Sequence, residues 1–164
     1  MQIQINRELR LESITRESLE TLYPLFREDI EELNRWFGFD TDYSIENEYR
    51  YLEARKPPYD DAVVIFYQDV PCGRFGLYDY NGKENSIFMY YWVSSRFRQR
   101  GIGLACMKVM LQYLRELGIK EVLFDVDEEN SVNIRLLQKI PEIRLKSKEK
   151  RLLYSCPLQE GFHR

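Results

Sequence analysis

Arg96, Arg98 and Arg100 stand at alternate positions just before Gly101-Ile102-Gly103-Leu104, and the run Tyr90-Tyr91-Trp92-Val93 leads into them. Read as a strand, a basic loop and a helix start, this segment makes an anion cradle. The first N–H groups of a helix have no intrahelical partner, and the helix dipole is positive at that end. Glycines let a ligand approach the backbone without meeting a Cβ. The arginines add full positive charge. A pyrophosphate suits such a site best.

Three pyrophosphate patterns compete for it. A Walker loop needs two glycines five positions apart, then Lys and Ser or Thr, and nothing here fits. A Rossmann fingerprint needs a third small residue where this chain has Cys106. It also has no use for three arginines. The third pattern is Arg-x-x-Gly-x-Gly, filled by Arg98, Gly101 and Gly103. A solvated arginine cluster before an ordinary helix is the plain alternative, so the surrounding elements must decide.

Leu9–Ile14 alternates in polarity and predicts a strand. Thr15 is the expected N-cap of one helix running to about Phe37, with Leu19, Leu22, Phe26, Ile30 and Leu33 on one face. Pro24 is placed to kink it and Gly38 to end it. Ser44 caps a second helix, Ile45 to Lys56, stopped by Pro57-Pro58. Three strands follow, Ala62–Tyr67, Cys72–Tyr78 and Ser86–Val93, with turns at Asp69-Val70-Pro71 and Asn81-Gly82. A helix over Gly101–Leu117, a buried strand over Glu121–Val126 and a helix from Asn130 to about Ile140 come next. Ile143–Lys146 and Arg151–Ser155 form a closing hairpin. The expectation is an α+β fold, one domain over 1–164, with a central mixed, mostly antiparallel twisted sheet flanked by helices. The strand-helix-strand unit over 86–126 needs a crossover, so its strands run parallel.

Composition narrows the function further. With 164 residues and a net charge of −3, the chain suits one buried core and no nucleic-acid partner. Positive charge is local, at Arg96–Arg100 and Lys139–Arg151. No apolar run approaches a bilayer span and the N-terminus lacks signal-peptide character, so no membrane partner and a cytoplasmic location are expected. Cys72, Cys106 and Cys156 are widely spaced and read as buried hydrophobes rather than a disulfide or zinc set. His163 is the only histidine, which leaves no His-based triad and no metal site to expect. Exposed aromatics among the 12 tyrosines are candidates for a substrate groove or a homodimer interface.

The Arg98-x-x-Gly101-x-Gly103 loop, followed by Asn130-Ser131-Val132-Asn133 after the next strand, resembles the GNAT superfamily of N-acetyltransferases. The element order agrees along nearly the whole chain. The resemblance implies acetyl-CoA as co-substrate. Its pyrophosphate would lie on the backbone of Gln99, Arg100, Gly101, Ile102, Gly103 and Leu104, with Arg98, the arginine of the motif, also among the cofactor-binding residues. Its pantetheine arm would pair with Val93 and lie beside Asn130. The other substrate would be a primary amine, either a small amine or a protein N-terminus. Leu11, the stretch Asp29–Phe37 and the strand Tyr91-Trp92-Val93 are loosely similar to the ribosomal-protein N-terminal acetyltransferases. That likeness places Trp36 and Phe37 on the acceptor side.

Acetyl transfer requires a neutral amine, an N–H donor for the carbonyl oxygen and a proton for the leaving thiolate. Many members place a tyrosine acid seven residues after the Asn130 position, where this chain has Leu137; Ile140-Pro141 also replaces the usual Gly-Phe pair. Tyr91, Asn133 and Asp127 are therefore the candidates for proton and thiolate chemistry, with Tyr78, Tyr80, Tyr90, Ser131, Asp79, Glu84 and Asp125 nearby in the chain. The departure at Leu137 also fits a non-catalytic GNAT-fold protein that binds acyl-CoA or regulates a partner. An unrelated α+β module binding another phosphate is the third reading.

Overall fold

Thr15 and Ser44 start their helices by the same device. Each side chain accepts from the backbone N–H three residues on, and the residue there, Ser18 or Asn47, returns a bond to the cap backbone. Two otherwise orphaned donors are satisfied at each start. The computed structural model describes residues 1–158, so His163 lies outside the described residues. In chain order the elements are β1 (Gln2–Gln4), β2 (Leu9–Ser13), α1 (Arg16–Glu28), α2 (Ile30–Phe37), α3 (Ile45–Ala54), β3 (Asp61–Tyr67), β4 (Val70–Asn81) and β5 (Ser86–Val93). A 3-10 turn (Ser95–Phe97) leads to α4 (Ile102–Glu116), β6 (Glu121–Val126), α5 (Ser131–Gln138), β7 (Arg144–Lys148) and β8 (Leu152–Pro157).

One 8-stranded sheet runs in the order β1-β2-β3-β4-β5-β6-β8-β7. Every neighbouring pair is antiparallel except β5 and β6, which the α4 crossover makes parallel. Alternation along the strands divides the core in two. Val63, Ile65, Phe75, Ile87 and Met89 face α4, where Ile102, Cys106, Met107, Met110 and Leu114 cover them. Ala62, Val64, Phe66 and Trp92 face the other side, under Leu19, Leu22 and Phe26 of α1 and Leu33 of α2. No described helix is long and apolar enough to cross a membrane.

Three sequence expectations change. The first long helix is two helices, and the break is at Asp29 rather than Pro24, which sits inside α1. Asp29 is buried and its carboxylate is bound by Trp92 and Ser95, so a long-range contact and not a proline sets the bend. The β3–β4 hairpin turns at Gln68-Asp69, both with positive φ, so that Val70-Pro71 already belongs to β4. The Asn81-Gly82 turn is wider than a two-residue loop: Asn81 pairs with Ser86, and its side chain accepts from the N–H groups of Lys83 and Glu84. The edge strand β1 has no counterpart in the sequence reading.

Candidate active site

The parallel pair is the opening in the sheet. β5 and β6 are in register only over Ser86–Phe88 and Glu121–Leu123. Beyond Phe88 and Leu123 the β5–β6 pairing ends, and β5 continues to Val93 with only β4 beside it. The Ser94 N–H donates to the Cys72 carbonyl of β4 at 2.8 Å. Backbone groups alternate along a strand, so the N–H and C=O of Val93 point the other way, into the gap. The split therefore exposes strand backbone to an extended ligand.

The loop that follows β5 leaves amides without intrahelical partners. Gly101 is the N-cap of α4 with φ 74° and no side-chain cap, so the N–H groups of Ile102, Gly103 and Leu104 have no intrahelical acceptor. Gln99 also has positive φ, at 62°. Successive changes of backbone hand turn N–H groups inward and make an anion nest. The sequence expectation of three free arginines does not hold. Arg96 Nε donates to Glu28 at 2.8 and 3.0 Å. Arg98 Nε donates to the Val93 carbonyl at 3.0 Å, and its two terminal nitrogens donate to Glu32 at 2.9 and 2.6 Å. Only Arg100 of the three has no carboxylate partner among the described residues; it lies 5.5 Å from the Tyr67 ring. Arg96 and Arg98 hold the loop against the α1–α2 junction. Arg100 and the backbone are left for an anion.

Asn130 caps α5 by accepting from the Asn133 N–H at 3.3 Å. Asn133 has the one buried side-chain polar atom without a partner among the described residues, its Oδ1. A buried acceptor left unpaired is costly, and such an atom calls for a donor from outside the chain. Leu137, at the position of the usual tyrosine, is fully buried in the core. Tyr91 is on the α4 face of β5: a Cβ on Gly103 would meet Tyr91 Cε2 at 3.6 Å and Leu136 Cδ1 at 3.0 Å. Burial pushes the Tyr91 phenol well above its ordinary value, so it is a proton-bearing group at neutral pH. Asp127 closes the turn after β6, accepting from the Glu129 N–H at 2.9 Å, with Arg151 Nη1 at 3.7 Å.

On the opposite face lies a cleft of about 430 Å³, lined by Trp36, Phe37, Phe39, Tyr78, Tyr90 and Asp125 with Arg151 at its rim. Thus Tyr90, rather than Tyr91, faces this cleft. Its ring lies over Gly76, where a Cβ would come within 2.0 Å of it, so only glycine leaves room. The Tyr90 hydroxyl accepts from Arg74 Nε at 3.1 Å beneath the floor. Burial pushes the Tyr78 phenol up to about 12. Arg151 Nε donates to Asp125 at 2.6 Å and its Nη2 reaches the Trp36 carbonyl at 3.4 Å, tying the last hairpin to α2. Arg35 pairs with Glu129 at 2.9 Å across the same mouth.

Residues 8–140 match the family model described as an acetyltransferase (GNAT) domain. The chain belongs to the GNAT acetyltransferase family. It is an acyltransferase by family, with acetyl-CoA as the co-substrate. No protein of curated function matches it in sequence. Solved structures share the GNAT fold at low identity. A ribosomal-protein-S5-alanine acetyltransferase from Vibrio fischeri superimposes with a TM-score of 0.83 at 12% identity, covering 98% of each chain. An acetyl transferase from Salmonella typhimurium, which modifies the N-terminal serine of ribosomal protein L7/L12, gives 0.80 at 14% identity, over 94% of this chain and 96% of that one. The spermidine N-acetyltransferase of Vibrio cholerae, solved with CoA and spermine, gives 0.78 at 13%, over 93% and 97%.

In this GNAT domain Trp36 and Phe37, expected on the acceptor side, both line the cleft. The sequence did not single out Arg151, Phe39 or Glu32. Arg151 begins a short alternating strand and Glu32 sits in an acidic helix turn, so neither carries a local signal. Their partners are distant in the chain.

Proposed function

We propose that this enzyme moves an acetyl group from acetyl-CoA to a primary amine, a protein N-terminus or a small amine, by direct attack in a ternary complex. The observation that carries the reading is the β5–β6 gap. It joins an amide-lined loop on one face of the sheet to an aromatic, acid-bearing cleft on the other. Pyrophosphate on the backbone of Gln99, Arg100, Gly101, Ile102, Gly103 and Leu104, with Arg100 as counter-charge, directs pantetheine along Val93 toward Asn130. Arg98 contributes by orienting the loop.

The chemistry asks little of the chain. The Val93 N–H faces the gap and suits the carbonyl oxygen as charge develops on it. Asp127 and its neighbour Asp125 are the carboxylates placed to receive the amine proton, directly or through water. Asn133 and Tyr91 lie on the pantetheine side. The Tyr91 proton and the Asn133 amide N–H groups are the donors available to the leaving thiolate. No covalent enzyme intermediate is needed, and the three thiols, all buried, offer no nucleophile.

The test is calorimetry with acetyl-CoA, followed by mass spectrometry of a mixed acceptor set: peptides beginning with serine or alanine, spermidine and small primary amines. One class gaining an acetyl group at a rate above free solution is the expected result. Binding without transfer to any acceptor would favour the second reading, a non-catalytic acyl-CoA-binding protein. The burial of Leu137 at the usual acid position supports that second reading.

A further inference from the structure

Resting on the reading that acetyl-CoA occupies the gap, we propose that Glu32 is a positioning residue. Through Arg98 it couples the cofactor strand to the wall of the acceptor cleft. The Arg98 side chain grips both. Its Nε holds the carbonyl of Val93, on the open edge of β5. Its Nη1 and Nη2 hold the two oxygens of Glu32, in the first turn of α2. Trp36, one helical turn further along α2, and Phe37 beside it wall the cleft. One planar guanidinium therefore spans the end of the cofactor strand and the base of the acceptor helix. Lysine carries the same charge but lacks the fork that makes three directed bonds at once.

Helix α2 depends on such anchors. At 8 residues it is too short to hold its shape unaided. Asp29, at its N-terminus, supplies a second anchor by accepting from Trp92 Nε1 at 3.0 Å, the Ser95 N–H at 2.8 Å and the Ser95 hydroxyl at 2.6 Å. Both anchors end on residues 92–98, the segment that an occupied gap would order. A ligand that fixes Val93 and the loop also fixes Arg98, and with it α2. Asp29 is 5% exposed, but Arg98 and Glu32 are 35% and 37% exposed. Their bond can be cut without opening the core.

The experiment is hydrogen exchange of the α2 amides in the whole protein, with and without saturating acetyl-CoA, and calorimetry on the same samples. In the wild type, acetyl-CoA should slow α2 exchange on the order of tenfold, within the usual range of coupling between sites. Glu32→Gln should still bind acetyl-CoA, weakened by no more than that factor, while the α2 response disappears; Arg98→Lys should lose the same response, whatever its own effect on affinity. A purely structural role would change the basal exchange and leave the acetyl-CoA response in place; that result overturns the proposal. So does a wild type whose α2 amides ignore bound acetyl-CoA. A wild type that binds no acetyl-CoA at all sinks the cofactor reading, and this proposal with it.

Discussion

Arg74 of β4 and Glu48 of α3 form an ion pair sealed from solvent: Nη1 lies 2.9 and 3.0 Å from the two carboxylate oxygens, and the side chains are 4% and 2% exposed. The Phe26 ring stands 4.9 Å from the guanidinium, and Nε holds the Tyr90 hydroxyl under the acceptor cleft. Desolvation of two charges offsets much of their attraction, so the pair adds little net stability over an apolar substitute. Losing one partner leaves a bare buried charge. Glu48→Gln should cost about 3–5 kcal/mol in urea unfolding. Arg74→Met combined with Glu48→Leu should recover most of that loss. A single-variant cost near the ~0.5 kcal/mol of a surface change would contradict the buried pairing. The double variant also frees the Tyr90 ring, so it should bind acceptor less well even where stability returns.

What was legible in the sequence was local. Ser44 announces α3 because its own side chain makes the cap. Asn130 announces α5 for the same reason. Gly101 marks the loop by a left-handed backbone that most side chains resist, and Gly103 by the close approach of Leu136. What was hidden is held by distant pairs. Pro24 looked like the break in the first helix, yet Asp29 makes it, through Trp92 and Ser95 more than sixty positions away. Arg98 looked like a phosphate ligand because its partner Glu32 is equally remote. The buried Arg74 reads in the sequence simply as part of a strand, since the carboxylate that neutralises it lies on a helix of another segment.

Gly101 offers a charge test of the anion nest. Its φ of 74° lies in the left-handed region, which asparagine and aspartate both tolerate better than other side chains, and open space surrounds the missing Cβ. Gly101→Asn and Gly101→Asp are close in shape and differ by one negative charge. The asparagine variant should bind acetyl-CoA within a few-fold of wild type. The aspartate variant should lose at least about tenfold more, ~1.4 kcal/mol. Raising the salt should narrow the difference, because exposed charges are screened. Equal affinities in calorimetry would place the pyrophosphate elsewhere.

The cysteines set a pH dependence. Burial pushes the Cys72 and Cys106 thiols up to about 12 and Cys156 up to about 11, from an ordinary 9.0. A folded-state value above the unfolded one means that the folded chain keeps protons which the unfolded chain releases. The resulting stability is whole below the ordinary thiol range and is lost as pH rises through it toward 12. Tyr43 and Tyr78, also pushed up by burial to about 12, act in the same direction at a higher starting point. The urea midpoint should hold steady up to about pH 8 and fall from there. At neutral pH a thiol-specific chromogenic reagent should react only when urea opens the chain. Fast reaction of the folded protein would show an accessible thiol and would refute the burial.

Asn133 should separate stability from function. Its Oδ1 is buried with no donor among the described residues, and an acceptor left unpaired costs about 1–3 kcal/mol. Its side chain caps nothing, because the cap of α5 belongs to Asn130. Alanine at 133 removes the orphan acceptor and is a better helix former by roughly half a kcal/mol. Asn133→Ala should therefore melt at least as high as wild type in the absence of ligand. The same change removes the one buried group among the described residues whose unmet hydrogen bond points to a bound partner. The gain in stability from saturating acetyl-CoA should shrink, or turnover on the best acceptor should fall by about 1 to 2 kcal/mol in barrier, roughly five- to thirtyfold. If Asn133→Ala destabilises the empty protein and leaves binding and turnover unchanged, the residue is structural and the donor for the thiolate must be sought at Tyr91.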